Sequence, residues 1–260
     1  MKSSSKLFLG ALAGVVTAAA PAFAQDATPW ALTGYAAVTS DYKFRGISQK
    51  ERNFAPQGSL NVTGPDGFYV GTWASQVDFT PGPGNAPQVE LDIYGGKHTD
   101  LWGVDWNFEP YYYAYPSEPG GHKAGYFEIQ NQFTKAFGPL TLSGTWAWSN
   151  DMWAWSNNVT FSGGTGNALY GNAAYTIFDW LSVSGNLGHQ WAQNAKYAGS
   201  SDYTWADIGV TATLKGFALD LRYSGTDLSN AKCSAFYMAT AHACAGNFVA
   251  TLTYNIDLLP

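Results

Sequence analysis

From Trp30 to the end of the chain, apolar and polar residues alternate with a period of two, in segments of about nine to thirteen residues, the length a tilted strand needs to cross a bilayer. Val104-Asp105-Trp106-Asn107-Phe108-Glu109 shows the pattern most plainly. Successive strand side chains point to opposite faces, so such a segment sets Val, Trp and Phe against something apolar and Asp, Asn and Glu against something wet. The same alternation runs through 57–63, 88–94, 127–134, 140–149, 169–177, 181–190, 206–215, 217–224 and 247–255, and the segments 30–46 and 67–77 complete the set. These make about twelve strands, an even number, as bacterial single-chain membrane barrels have.

The connections sort by parity. Gly64-Pro65-Asp66-Gly67, His98 to Gly103, Gly138-Pro139, Phe178-Asp179-Trp180 and Lys215-Gly216 are tight, and between them lie the longer stretches 48–53, 80–87, 117–124, 150–166, 192–202 and 226–246. Short turns on the periplasmic side and long loops outside are the signature of an outer-membrane barrel, and they place both chain ends on the periplasmic side. Aromatic residues fall near strand ends, where rings suit headgroup depth: Trp30, Trp73, Trp102, Tyr111 to Tyr113, Trp146, Trp148, Trp180, Trp191 and Tyr254. The expected fold is therefore all-β, a transmembrane antiparallel up-and-down barrel of about twelve strands.

Residues 1–24 read as an export signal. Lys2 and Lys6 precede the uncharged run Leu7 to Ala20, and Ala22-Phe23-Ala24 is a small-x-small cleavage pattern, so the barrel domain is expected to span 25–260. Composition agrees: only 12% of the 260 residues are charged, while 16% are aromatic and 29 are glycine, which suits strands and turns rather than a helical bundle or a disordered tail. The net charge of -6 and the thin scatter of 13 Lys and Arg leave no basic face to follow a phosphate backbone, which excludes nucleic acid as a partner.

Four motifs carry a likeness to a known family: Ser40-Asp41-Tyr42-Lys43-Phe44-Arg45-Gly46-Ile47-Ser48-Gln49, Gly67-Phe68-Tyr69-Val70-Gly71-Thr72-Trp73-Ala74-Ser75, Glu90-Leu91-Asp92-Ile93-Tyr94-Gly95-Gly96 and Tyr111-Tyr112-Tyr113-Ala114-Tyr115-Pro116. With them the chain resembles the TorF-type family of Gram-negative outer-membrane proteins, described as porins. The resemblance implies an outer-membrane barrel that passes small solutes, with membrane lipid and the insertion machinery as partners. The chain ends Asp257-Leu258-Leu259-Pro260, without the terminal aromatic residue that such barrels commonly present to that machinery.

Cys233 and Cys244 share the last long connection, and an even count in an exported chain reads as a disulfide. His98, His122, His189 and His242 have no metal-site spacing, and no cofactor is expected. His189, near the outer end of its strand and close to Ser201 and Asp202, offers a remote barrel-wall hydrolase, but no nucleophile motif accompanies it. Gly163-Gly164-Thr165-Gly166 lacks the lysine of a phosphate loop and reads as a loop tip.

Placing each strand's polar parity inward yields the candidate pore lining: Asp41, Lys43 and Arg45 in one row, Glu90 and Asp92 in another, then Asp105 and Glu109, then Glu128, Asp207 with Lys215, and Asp220 with Arg222. Acids outnumber bases by about two to one in this set, so a conducting pore should prefer cations. The leading expectation is a non-enzymatic channel with a narrow pore for small hydrophilic solutes or ions. The rival is a closed barrel, its lumen blocked by ion pairs, acting as a surface interaction or structural protein.

Overall fold

The structure, a computed structural model, describes residues 30–78, 87–116, 125–152, 164–193, 202–237 and 242–259. The expected signal segment 1–24 lies outside them. β1 (Ala31–Thr39) is followed by two short strands, β2 (Lys43–Phe44) and β3 (Ile47–Ser48), which pair only with each other. The wall continues with β4 (Ala55–Thr63), β5 (Phe68–Gln76), β6 (Val89–Asp100), β7 (Asp105–Ala114), β8 (Tyr126–Phe137), β9 (Leu140–Met152), β10 (Gly164–Phe178), β11 (Leu181–Gln193), β12 (Tyr203–Leu214), β13 (Phe217–Thr226) and β14 (Asn247–Leu259). Each wall strand pairs antiparallel with its neighbours, and β14 closes on β1 from Leu32↔Leu259 to Thr39↔Thr251, completing a barrel of twelve strands.

The two faces of the wall are inverted relative to a water-soluble protein. Leu60, Val70, Ile93, Leu142, Leu169, Leu187, Ile208 and Leu221 are exposed on the outside, while Ser59, Thr145, Asn172, Ser184, Asn186, Thr211 and Thr251 are buried within. Closure satisfies every wall strand along both edges, the condition for strands to lie in hydrocarbon. No helix among the described residues is long and apolar enough to cross a membrane.

Three of the tight turns share a device. Asp66-Gly67, Trp102-Gly103 and Lys215-Gly216 each put two successive residues at positive φ, with glycine second, as a type I′ hairpin requires. Lys215 thereby leaves the lumen: it sits exposed in the turn between Leu214 and Phe217, and does not face Asp207 as parity suggested. The turn expected over His98 to Gly103 is also shorter, because β6 runs on to Asp100 and pairs His98 with Asn107 in the wall.

A larger correction concerns the first strand. The alternation through 30–46 suggested one long strand, but β1 stops at Thr39, whose hydroxyl donates to the Asp41 carbonyl and turns the chain inward. The last long connection likewise holds an unexpected helix, α1 (Asn230–Tyr237). Most of the other outer connections lie outside the described residues.

Candidate functional site

Residues 40–49 form a strap that enters the barrel mouth instead of extending its wall. Its tip is a hairpin in which Phe44 pairs with Ile47, and Arg45 (φ 47) and Gly46 (φ 81) supply the positive dihedrals of the two-residue turn. Asp41, Tyr42, Lys43, Arg45, Ile47, Ser48 and Gln49 are all buried. Gly46 has no room for a side chain: a Cβ there would stand 2.7 Å from the Trp205 Cβ, 2.8 Å from the Gly225 carbonyl oxygen and 2.8 Å from the Thr226 Cγ2.

From this tip the strap reaches walls that are far apart in the strand order. The Arg45 guanidinium donates to both carboxylate oxygens of Glu128 on β8, at 2.7 and 2.9 Å, and to Gln190 Oε1 on β11 at 2.7 Å. Its charge also lies over the Phe44 ring, 4.8 Å from the centroid. Tyr42 donates to Glu90 on β6 at 2.9 Å and meets Trp73 of β5 edge-on. Lys43 pairs with Asp41 at 3.5 Å and donates to the carbonyls of Ala243 and Ala245, each at 3.3 Å. Those carbonyls flank Cys244, which is bonded to Cys233 of α1 with Cα atoms 5.9 Å apart. Both cysteines are buried in one cluster with Ile47 of the strap, Tyr203, Trp205 and Leu228.

Burial pushes the Lys43 amine down from its ordinary 10.5 to about 8, against the upward pull of Asp41. A strap that leaves its seat returns this amine to water, so the seated state binds fewer protons between those two values. By linkage, raising the pH across that window favours the seated strap. Conductance is therefore expected to fall from pH 8 to pH 10.5, and the fall should be smaller in Lys43→Met; a rise over the same window in planar-bilayer recordings would contradict the seating.

A second polar network lines the wall nearer the short turns. Arg222 on β13 holds Asp207, donates to both oxygens of Asp220 at 3.1 Å, and donates to Ser184 at 2.9 Å. Asn186 donates to Asp207 at 2.9 Å, Asn172 to Asn186 at 2.9 Å and Thr211 to Asp220 at 2.7 Å. Every arm of this guanidinium has an acceptor, as a buried charge requires. Across the lumen, Asp105 meets His98 at 2.8 Å, and Glu109 takes the Tyr69 phenol.

Residues 23–255 match the model of a family described as "Bacterial protein of unknown function (Gcw_chp)". The chain belongs to this family. No curated protein sequence matches it. Among solved structures, this Gcw_chp barrel is similar to a KdgM porin in complex with disordered oligogalacturonate, at 6% identity over 86% of this chain and 98% of that one, with a TM-score of 0.54. It is also similar to the NanC porin, at 9% identity over 89% of this chain and 100% of that one, with a TM-score of 0.54. The COG4313 outer membrane channel from Pseudomonas putida F1 is similar at 13% identity over 92% of this chain and 99% of that one, with a TM-score of 0.51. At such identities these likenesses describe the fold.

Within the Gcw_chp barrel, Glu90, Asp92, Glu109, Glu128, Asp207, Asp220 and Arg222 stand on the wall with their side chains inward, whereas Asp41, Lys43 and Arg45 belong to the strap. Trp73, Tyr111 and Tyr113, read from sequence as headgroup aromatics, instead share the inward parity of Ser75, Asp92 and Glu128 and line the lumen. Trp146 and Tyr254 do face outward. His189 also faces outward, with its ring 2.9 Å from the Thr204 hydroxyl and edge-on to Trp191, while Asp202 accepts from the Ala192 amide. Ser201 and His122 lie outside the described residues. Gln190, Ser184, Asn186 and Tyr42 were not singled out from sequence; the inward parity of the first three was readable, but their roles depend on where Arg45 and Arg222 end.

Proposed function

We propose that the protein is an outer-membrane porin that passes small hydrophilic solutes or ions passively through a narrow pore. The observation that carries the reading is a closed twelve-stranded barrel with a polar inner wall and a lipid-compatible outer one, its mouth narrowed by the strap that Arg45 ties to Glu128. Eight strands leave an interior filled by side chains and sixteen an open channel, so twelve with an inserted strap suits a constricted pore. The likeness to porin folds and the resemblance to the TorF-type family support this reading.

Asp41, Glu90, Asp92, Asp105, Glu109, Glu128, Asp207 and Asp220 against Lys43, Arg45 and Arg222 leave the lumen acidic, and rings of carboxylates lower the cost of cation entry. Reconstitution into a planar bilayer under a salt gradient should therefore give discrete conductance steps and a reversal potential of cation-selective sign. Anion selectivity would show that Arg45 governs the constriction. A membrane that stays silent would instead favour a closed barrel that anchors its outer loops, a reading to which the burial of Arg45 among Glu128, Gln190 and Tyr170 lends specific weight.

A further inference from the structure

Glu90 and Asp92 stand two residues apart on β6, so both carboxylates project from one face into the lumen, and both are buried. Most other lumenal acids answer to a base: Asp41 to Lys43, Glu128 to Arg45, Asp105 to His98, and Asp207 and Asp220 to Arg222. Among the described residues, no Lys, Arg or His makes an ion pair with Glu90 or Asp92. Glu109, nearer the short turns on the adjoining strand, also lacks such a pair among the described residues, so this wall carries three acids without a base.

What these two acids have instead is phenols. Tyr42 donates to Glu90 at 2.9 Å, Tyr115 also bonds Glu90, and Tyr111 donates to Asp92 Oδ2 at 2.8 Å. Asp92 Oδ1 accepts no hydrogen bond among the described residues, although it is fully buried. A buried carboxylate oxygen without a donor is costly, which makes it the natural place for a donor that the site takes up. The surroundings say what kind. Tyr35, Tyr42, Trp73 and Tyr94 form one buried cluster with Tyr111 packed against it; Tyr94 and Tyr111 are stacked at 5.0 Å, and Tyr42 and Trp73 meet edge-on at 5.2 Å.

We propose that Glu90, Asp92 and these rings form a binding site for the primary ammonium group of a small amine, with Tyr42 as its lid. An ammonium supplies the base that neither acid has among the described residues, the ring faces attract a cation, and an N–H fills the vacant acceptor of Asp92. A divalent metal is a poorer match, since no third His, Cys, Asp or Glu joins the pair in a metal-ligand group among the described residues. Tyr42 is the one ring of the set that belongs to the strap rather than to the wall or its rim, so it can leave with the strap and return. The inference deepens the pore reading by making small amines a favoured solute class.

The test is equilibrium binding, so it does not depend on conduction. Thermal unfolding of the purified barrel in detergent is followed in methylammonium chloride and, at equal ionic strength, in tetramethylammonium chloride, which keeps the charge but has no N–H to donate. The unfolding midpoint should be higher in methylammonium for the native chain, the difference should disappear in Asp92→Asn, and Tyr42→Phe, which frees Glu90 from one of its two donors, should enlarge it. Equal midpoints in the two salts for the native chain, or an undiminished difference in Asp92→Asn, would overturn the site. Should Asp92→Asn fail to assemble, Tyr42→Phe decides, and an unchanged or smaller difference there counts against the proposal. A barrel that answers methylammonium yet never conducts keeps the site and loses the pore.

Discussion

Arg45→Ala is expected to raise the conductance of the reconstituted barrel severalfold and to make it noisier. Arg45 ties the strap to Glu128 and Gln190, strands β8 and β11 on the side of the lumen away from the strap's root in β1. Removing one partner of a buried pair costs on the order of 3–5 kcal/mol because the other charge is left uncompensated, and about 3 kcal/mol already changes a seated-to-released ratio roughly a hundredfold. The barrel itself is held by the ladders of twelve strands, so the loss falls on the strap. Heat-modifiable gel mobility should persist in the variant, which separates release of the strap from failure to fold. Arg45→Lys should fall between, since an ammonium has a single nitrogen and cannot serve Glu128 and Gln190 from two separate ones as the guanidinium does. Unchanged conductance in Arg45→Ala would mean that solutes bypass the strap.

Gly46→Val should have an effect of similar size without changing a single charge. At φ 81 a β-branched residue is strained, and its Cβ would collide with Trp205, Gly225 and Thr226 at once. The contacts with Trp205 and Gly225 are to the root of a side chain and to backbone, so those two cannot swing aside. The hairpin tip must therefore lift out of its seat, carrying Arg45 away from Glu128. If Gly46→Val and Arg45→Ala reach the same conductance, and the double variant adds nothing further, both act through release of one strap. A Gly46→Val channel that conducts like the native one would place the constriction elsewhere.

The wall was legible in the sequence because it obeys a local rule. A period of two, with a glycine in most of the tight turns, is written residue by residue, and Phe217 to Ser224 or Leu181 to Gln190 needed no knowledge of their partners. The strap was not legible for the same reason. Asp41, Lys43 and Arg45 alternate with Tyr42 and Phe44 as a wall strand would, and what diverts them is a turn whose acceptors are Glu128 and Gln190, far along the chain. One local signal was present: Arg45-Gly46 between Phe44 and Ile47 has the glycine placement of the hairpins at Trp102-Gly103 and Lys215-Gly216. Trp73 and Tyr111 misled in another way. An aromatic residue near a strand end suits headgroups or lumen equally, and only parity against Ser75 and Asp92 separates the two. The inward acids were found by parity, but that Glu90 and Asp92 lack a base while Asp207 and Asp220 share Arg222 is a property of closure.

The strap's other end is fastened by residues from close to the end of the chain. Lys43 takes its acceptors from Ala243 and Ala245, 200 and 202 residues downstream, the Ser48 amide donates to Ala243, Arg52 reaches Ala245, and Asn247 donates to Asp41. All of these atoms belong to the segment around Cys244 and to the first residues of β14, the strand that seals the seam with β1. The strap's root is thus held at the seam, while its tip is held by Glu128 and Gln190 across the lumen. The seam between β1 and β14 and the seat of the strap therefore draw on the same stretch of chain, so that the residues which complete the wall also set the width of its mouth.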